Sequence, residues 1–235
     1  MGEMETRTPV TILLVEDDEE MAAVMARDLH EASDRYHILH VGCAADALRQ
    51  SDAFDCILLD IMLPDMNGIE LCSALRLRYS CPLIFISCLD DSDTIIRALG
   101  QGGDDYVAKP FDSKVLHARI QANLRRSQTD RKQDYVGDGR DIVLDPKCYT
   151  FAWRESLVQL LPIEFRILSY LIEHQGMFFK TKELYFQIWG VDSFGDTRTV
   201  IVHIHNIRAK MEKATGQKDM IRNERGRGYA FFPPQ

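Results

Sequence analysis

The stretch CILLDIMLPDMNG, residues 56–68, joins an apolar run to a carboxylate and then to a turn. Ile57, Leu58 and Leu59 predict a strand that is buried on both faces. Asp60 follows this run directly, and the Pro, Asn and Gly residues after it predict a tight turn. Because a charge at the rim of a core costs free energy unless another group pairs with it, the stretch predicts a polar site around Asp60.

On both sides of this stretch, as far as residue 126, apolar runs alternate with segments of helical periodicity. The apolar runs that predict strands lie at residues 10–16, 36–41, 55–60, 82–87 and 105–108. The last predicted helix spans 112–126. Regular alternation of apolar strands with helices predicts a parallel sheet covered by helices.

Polar side chains stand where the predicted strands end. Glu16 and Asp17 follow the first strand, Asp60 the third, Ser87 ends the fourth and Lys109 follows the fifth. In a doubly wound sheet, sites form beyond the carboxyl ends of the strands. Three carboxylates in one cleft repel one another unless a cation lies between them, and Mg²⁺ prefers oxygen ligands. We therefore expect a magnesium site, with the Lys109 ammonium as a second positive charge.

The segment 10–126 resembles the receiver domain of response regulators, the phospho-acceptor part of two-component signalling. The motifs that carry the resemblance are LLVEDDEE, ILLDIMLPDMNG, PLIFIS and GGDDYVAKPF. The resemblance implies a flavodoxin-like (βα)5 fold in an α/β domain and phosphorylation of Asp60 by a sensor histidine kinase. It implies Mg²⁺ as cofactor, and the implied ligands are Glu16, Asp17, Asp60 and the carbonyl of Met62. The implied switch residues are Ser87, Tyr106 and Lys109, with a cis peptide between Lys109 and Pro110.

An aspartyl-phosphate phosphatase of the haloacid-dehalogenase type is the alternative for this carboxylate cluster. Such enzymes carry a second Asp two residues after the nucleophile, and this chain has Met62 there. The sequence therefore favours a phosphorylated aspartate that persists over an enzyme that turns over. Ser87 stands where receivers more often have Thr, and it keeps the hydroxyl.

After residue 126 the pattern changes. Residues 127–137 are polar and aperiodic and predict a linker between a receiver domain, 1–126, and an output domain, 138–235. The output part resembles the winged-helix DNA-binding domain of the OmpR/PhoB class in LLPIEFRILSYLIEHQG, KELYFQIWG, DTRTVIVHIHNIRAKME and RNERGRGYAFF. The predicted fold is therefore an α/β receiver followed by an α+β winged helix. Leu161 replaces the usual Thr cap before Pro162, a loss of about 1 kcal/mol.

The predicted helix 197–213 has an apolar stripe of Val200, Ile204, Ile207 and Met211, at helical spacing. A helix of this size fits the major groove of DNA. The residues that the resemblance implies as DNA-binding are Arg198, Ile201, His203, His205, Asn206, Arg208, Arg222, Asn223, Arg225 and Arg227. The alternative for His203 is that it is partly packed in the fold. Ile could contact a thymine methyl and Asn could bind adenine, which favours A/T-rich direct-repeat half-sites.

The charge of the chain is distributed unevenly. Residues 1–126 carry 22 acidic against 12 basic side chains, whereas residues 197–235 carry eight basic against three acidic ones. This separation suggests an acidic domain joined to one with a basic face. Because the positive charge is modest, few phosphate contacts are expected, and two DNA-binding domains would be needed for useful affinity.

The resemblance also implies partners. Activated receivers of this class form homodimers, and the implied interface residues are Ile95, Asp104, Asp105, Val115, Arg119 and Arg126. Ile95 and Val115 replace a pair that is normally basic and acidic. An apolar contact there would make the dimer less dependent on phosphate, or the dimer is weaker or differently arranged. Trp189 and residues 190–196 match the loop that can contact RNA polymerase.

The composition sets further limits. No apolar run reaches the roughly 18–20 residues of a membrane span, and the first ten residues lack the apolar core of a signal peptide, so we expect a cytoplasmic protein that does not contact membranes. The six cysteines predict small hydrophobic residues and no disulfide framework. We expect a transcription regulator that is not an enzyme. Two alternatives are a constitutive DNA-binding regulator whose receiver works without phosphorylation, and a phosphotransfer enzyme without a DNA role.

Overall fold

The computed structural model describes residues 9–130, 136–137, 142–190 and 197–234, with backbone alone at 125–130 and 136–137. The chain divides after Leu124 into two compact units. Each unit has a hydrophobic core of its own. They are described separately below.

The first unit contains a five-stranded parallel sheet in the order β2-β1-β3-β4-β5. Its strands are β1 Val10–Val15, β2 Tyr36–Val41, β3 Cys56–Leu59, β4 Leu83–Ser87 and β5 Asp105–Ala108. All four residues of β3 are buried, as its continuous apolar run predicts. The strand order reverses between β1 and β3, so a crevice opens at the carboxyl ends of these two strands.

Five helices connect and cover these strands. They are α1 Glu19–Ala32, α2 Ala44–Arg49, α3 Gly68–Arg76, α4 Ser92–Gly100 and α5 Ser113–Asp130. A polar side chain begins three of them: the carboxylates of Asp18 and Asp91 and the amide oxygen of Asn67 each accept a hydrogen bond from a backbone N–H of the first turn. Such caps satisfy N–H groups that have no partner within the helix.

The predicted linker contains more regular structure than its composition indicates. The α5 backbone is helical as far as Asp130, and β6 spans Val136–Gly137, so both enter the segment 127–137. A polar helix end has no apolar stripe, and for this reason periodicity places the end of α5 too early.

In the second unit, the described residues that follow α5 form two antiparallel sheets and three helices. The first sheet has the order β6-β7-β8-β9, with β7 Ile142–Asp145, β8 Thr150–Trp153 and β9 Ser156–Gln159. The helices are α6 Pro162–Glu173, α7 Thr181–Trp189 and α8 Arg198–Thr215. A hairpin follows, with β10 Ile221–Glu224 and β11 Gly228–Phe231. This arrangement confirms the predicted fold class, a flavodoxin-like α/β receiver followed by an α+β winged helix.

The start of α6 is capped in spite of Leu161. The backbone N–H of Leu161 donates to Oε2 of Glu164 at 2.8 Å, and Lys210 of α8 donates to the same oxygen at 2.6 Å. Glu164 is fully buried. The side chain three residues into the helix therefore supplies part of the capping that Leu161 cannot.

The six cysteines are all free. Cys56 and Cys72 are buried as predicted, but Cys88 and Cys148 are exposed. Cys88 directly follows β4, and Cys148 lies in the turn between β7 and β8. Within the described part of the chain, none of the helices is long and apolar enough to cross a membrane.

Candidate functional site

A lysine and two buried carboxylates meet in the crevice of the first unit. Nζ of Lys109 donates to Oε2 of Glu16 and to Oδ2 of Asp60, at 2.6 Å in each case. The Glu16 and Asp60 side chains are only 3% and 7% exposed, so both ion pairs are shielded from solvent. Lys109 reaches the crevice from the end of β5, beside a cis peptide to Pro110.

The electrostatics of the crevice suit a divalent cation. Carboxylate oxygens of Glu16, Asp17 and Asp60 lie within 4.8 Å of one another. Burial raises the pKa of Glu16 although the Lys109 ammonium counteracts it. Burial also lowers the pKa of Lys109, but its hydrogen bonds and charge interactions with Asp60 and Glu16 outweigh this effect and leave the pKa raised. Three carboxylates and one ammonium leave two negative charges uncompensated, and Mg²⁺ has the charge and ligand preference to balance them.

The turn after β3 fixes the position of Asp60. The backbone N–H of Met62 donates to Oδ1 of Asp60 at 3.1 Å, and that of Gly68 donates to the carbonyl of Ile61 at 2.8 Å. A Cβ atom on Gly68 would lie 2.0 Å from the carbonyl oxygen of Asp60. The Met62 side chain is 58% exposed. Position 68 therefore requires glycine, because the backbone there passes too close to Asp60 to leave room for a side chain.

Two residues beside the crevice escaped prediction. Asp65 accepts the backbone N–H groups of Ala44 and Ala45 at 2.9 and 2.8 Å, and these hydrogen bonds lower its pKa. A ring nitrogen of His40 lies 2.7 Å from the carbonyl oxygen of Glu16. The sequence offered one indication of the role of Asp65. Cys43, which precedes α2, provides no side-chain cap, so the first N–H groups of the helix need a carboxylate from elsewhere.

The predicted switch residues lie next to one another. Ser87 ends β4 and is fully buried, and Tyr106 of β5 is 4% exposed. The Tyr106 hydroxyl donates to the carbonyl of Leu89. Burial raises the pKa of Tyr106 to about 12, and an interaction with the Ser87 hydroxyl opposes this shift. The ring of Tyr106 is thus turned into the domain.

Helix α8 separates an inner from an outer face as predicted. Its apolar stripe is buried, with exposures of 0% at Val200, 1% at Ile204, 0% at Ile207 and 2% at Met211. On the outer face, Ile201 is 48% exposed, His205 is exposed, and Arg198 and Arg208 are half-buried.

Comparison with known proteins agrees with both halves of this description. The family profile of the response regulator receiver domain matches residues 12–121, and that of the C-terminal domain of transcriptional regulatory proteins matches residues 154–231. The chain belongs to the OmpR/PhoB family of response regulators. It is a two-component response regulator with a receiver and a DNA-binding domain.

Solved structures resemble this response regulator over most of its length. DrrB of Thermotoga maritima, an OmpR/PhoB homolog, is 26% identical with a TM-score of 0.50, over 96% of this chain and 100% of DrrB. Two mutants of RitR are 24% and 23% identical with TM-scores of 0.73 and 0.75, also over 96% of this chain and 100% of theirs. The likeness to RitR shows the fold alone.

In the receiver of this response regulator, most of the predicted dimer-interface residues lie inside the domain. Asp104 pairs with Arg76, and Oδ1 of Asp105 accepts from Nη1 of Arg119 at 2.8 Å. The exposures of Asp104 and Asp105 are 0%, of Arg119 5% and of Ile95 2%. Only Val115 is partly exposed among those described, and the Arg126 side chain lies outside the described residues. The charge pattern of the sequence did not reveal that Asp104 forms an ion pair with Arg76 inside its own domain.

In the DNA-binding domain of the response regulator, His203 is not available to a phosphate. It is fully buried, and its ring stacks on Trp189 with centroids 6.1 Å apart. The alternative of a packed histidine is therefore the correct one. Asn206 is half-buried, with its amide nitrogen inside the fold. A contact to adenine through both amide atoms requires this side chain to rotate.

The β10–β11 hairpin is the wing of the DNA-binding domain. Some of its predicted DNA-binding side chains are exposed, and others have partners within the domain. Arg225 and Asn223 are exposed. Arg227 donates to Oε2 of Glu224 at 2.6 Å, and Arg222 lies over the ring of Phe232. Arg208 of α8 donates from Nε to the carbonyl of Ile221 at 2.9 Å. Trp189 is fully buried, and residues 191–196 lie outside the described residues.

Proposed function

We propose that this response regulator is a phosphorylation-dependent transcription regulator of the cytoplasm. A sensor histidine kinase phosphorylates Asp60, receivers pair, and the paired winged helices bind DNA. The observation that carries the proposal is the buried Lys109 ammonium bonded to both Glu16 and Asp60 at 2.6 Å. This arrangement places the Asp60 carboxylate, the nucleophile, beside the Lys109 ammonium, which can bind a phosphoryl group once it is attached to Asp60.

In the transfer, an Asp60 carboxylate oxygen attacks the phosphorus of a phosphohistidine. The P–N bond breaks, its electron pair stays on the imidazole, and an acyl phosphate forms on Asp60. Bound Mg²⁺ would neutralise and orient the phosphoryl oxygens. The carboxylates of Glu16, Asp17 and Asp60 and the carbonyl of Met62 would hold it. The chain accepts the phosphoryl group on its own Asp60 and is thus a substrate of the kinase. In this sense it is not an enzyme.

The new dianionic group then changes the partners of its neighbours. Lys109 releases Glu16 and donates to a phosphoryl oxygen, and the Ser87 hydroxyl donates to another. Ser87 moves toward the phosphoryl group, and Tyr106, which is already turned inward, is fixed in that position between α4 and β5. A local charge thereby changes how one receiver fits another.

On DNA, α8 lies in the major groove and the wing approaches the minor groove. Ile201 and His205 face the bases, and the arginines of α8 and the wing contact phosphates. Two domains occupy direct-repeat half-sites that are rich in A/T. Trp189 supports the following loop, 190–196, which contacts RNA polymerase.

A second candidate function is constitutive DNA binding with a receiver that works without phosphorylation. Two observations favour it: Tyr106 is already turned inward, and the predicted interface residues Ile95, Asp104 and Arg119 are buried within one domain. Under this alternative, phosphorylation adds nothing to dimer formation.

Light-scattering mass distinguishes the two functions. The full chain is measured with Mg²⁺ alone and with Mg²⁺ plus beryllofluoride, a phosphoryl mimic. A monomer that becomes a dimer supports the proposal, and Asp60→Asn, which keeps the size of the side chain, is expected to stay monomeric. An unchanged mass, together with DNA binding that persists in Asp60→Asn, favours the constitutive function and contradicts the phosphate switch.

A further inference from the structure

Two arginines of the wing lie on a pair of phenylalanine rings. The guanidinium carbon of Arg222 is 4.3 Å from the ring centroid of Phe232, and that of Arg227 is 4.1 Å from the centroid of Phe178. The two rings are themselves in contact, with centroids 5.9 Å apart. The four side chains form a continuous row, Arg222–Phe232–Phe178–Arg227, which we call the wing stack.

The backbone holds Phe178 beside the wing although it belongs to the segment before α7. The next residue, Phe179, exchanges two backbone hydrogen bonds with Tyr229 of β11, at 2.9 and 2.8 Å. A Cβ atom on Gly228 would lie 1.9 Å from the carbonyl oxygen of Phe179. The segment before α7 therefore pairs with β11 at one isolated bridge, and this contact brings the ring of Phe178 under Arg227.

The rings cover the faces of the two guanidinium groups and not their N–H edges. A guanidinium attracted to the face of a ring keeps its N–H groups in its own plane, where they can donate to phosphate. For Arg227, Glu224 occupies one of these N–H groups. Holding a long side chain in one orientation before binding reduces the conformational entropy that binding must remove.

We propose that Phe178 and Phe232 are positioning residues for DNA binding. They hold Arg222 and Arg227, which flank Arg225 in the sequence, toward the phosphates that border the minor groove, and they do not touch DNA themselves. The proposal rests on the DNA-binding part of the proposed function and is independent of phosphorylation.

The test is fluorescence anisotropy of the full chain, in the presence of Mg²⁺ and beryllofluoride, on a labelled mixed-sequence duplex at low salt. Phe178→Leu and Phe232→Leu retain every charge, and each is expected to weaken binding about two- to fivefold, since a cation–π contact at an exposed site is modest. Phe178→Tyr keeps the ring and is expected to bind as the wild type does. Phe186→Leu is the matched control, because Lys182 lies 5.6 Å from the centroid of that ring, outside the wing.

A double-mutant cycle separates positioning from a general effect on the fold. In an Arg227→Gln background, Phe178→Leu is expected to have no further effect on the dissociation constant. An equal loss in both backgrounds overturns the proposal, as does a loss in Phe178→Tyr or wild-type affinity in both Leu variants. If the wild-type chain itself fails to bind the duplex, the DNA-binding function fails instead.

Discussion

Gly68 illustrates how a single residue keeps the turn after Asp60 in place. We expect Gly68→Ala to destabilise the receiver by about 3 kcal/mol. The new Cβ would lie 2.0 Å from the backbone carbonyl oxygen of Asp60 and 2.7 Å from the Cα of Ile61. Denaturant unfolding of the full chain measures this loss. Gly100→Ala is the control, since a Cβ there meets nothing within 4 Å. Equal stability of the two variants would show that the turn can open without cost.

His117 of α5 makes the stability of the receiver depend on pH. Its ring meets that of Tyr36 edge-on at 5.6 Å, and burial lowers its pKa from the ordinary value of 6.5. Below that value the unfolded chain takes up a proton that the folded chain resists, so this contribution to stability is complete above pH 6.5 and is lost as the pH falls. His117→Phe is expected to lose less stability than the wild type between neutral and mildly acidic pH, measured by thermal unfolding. Parallel pH profiles would contradict this.

Residues whose position follows from the sheet could be predicted from the sequence, and residues whose environment comes from another element could not. Asp60 and Lys109 meet because parallel strands end at one edge, whatever surrounds them. His203 was predicted to bind DNA because the family resemblance implies phosphate contacts at its position. It is buried by Trp189, which belongs to α7 and has no sequence relation to it.

The segments around α3, β4 and β5 are joined by one buried ion pair. Arg76 donates to the carbonyl oxygens of Gly102 at 2.7 Å and Cys81 at 2.5 Å and pairs with Asp104, whose carboxylate also accepts the N–H of Leu83 at 2.8 Å. One guanidinium therefore fixes the ends of a helix and two strands.

Asp104→Asn is expected to destabilise the receiver by about 3 kcal/mol, since it leaves a buried guanidinium without its counter-charge. Denaturant unfolding measures the effect. Arg49→Ala breaks an exposed pair with Asp46 and is expected to leave the unfolding midpoint unchanged. If Asp104 serves a dimer instead, the substitution will alter the mass of the activated protein and leave the monomer as stable as before.

Glu224 restrains the wing electrostatically. Its carboxylate lies 2.6 Å from Nη1 of Arg227, and its negative charge would repel the phosphates that we propose this arginine contacts. We expect Glu224→Gln to tighten binding to duplex DNA about twofold, by anisotropy at low salt. Glu31→Gln makes the same charge change on α1, and a similar gain there would assign the effect to net charge alone.

Helices and strands with an apolar stripe were predicted within a few residues of their observed ends, because burial imposes the stripe. The end of α5 was predicted too early, because residues 127–130 continue the helix and add no apolar residue to its stripe. Caps from distant elements were equally invisible. Asp65 lies about twenty residues from the α2 start that it caps, and proximity in space decides the pairing.

The two halves of the molecule differ in charge, and this affects how the whole chain approaches DNA. The receiver half has 22 acidic against 12 basic residues. A negative field of this size repels a polyanion at low salt and is screened over about 8 Å at physiological salt. We expect the fragment 125–235, which has a hydrophobic core of its own, to bind duplex DNA more tightly than the full chain at low salt. The difference should vanish as salt rises. A difference that persists at high salt would contradict a purely electrostatic origin.

The burial of Trp189 has a practical consequence for spectroscopy. The chain contains two tryptophans, Trp153 and Trp189, and both are buried in the DNA-binding domain, at 5% and 0% exposure. The receiver is therefore silent when only indole is excited. Trp189 stacks on Tyr185 at 5.0 Å and faces the His203 ring, a known type of quencher once protonated. The protein thus carries an intrinsic optical label in its DNA-binding domain, and its emission can follow one half of the molecule without any dye.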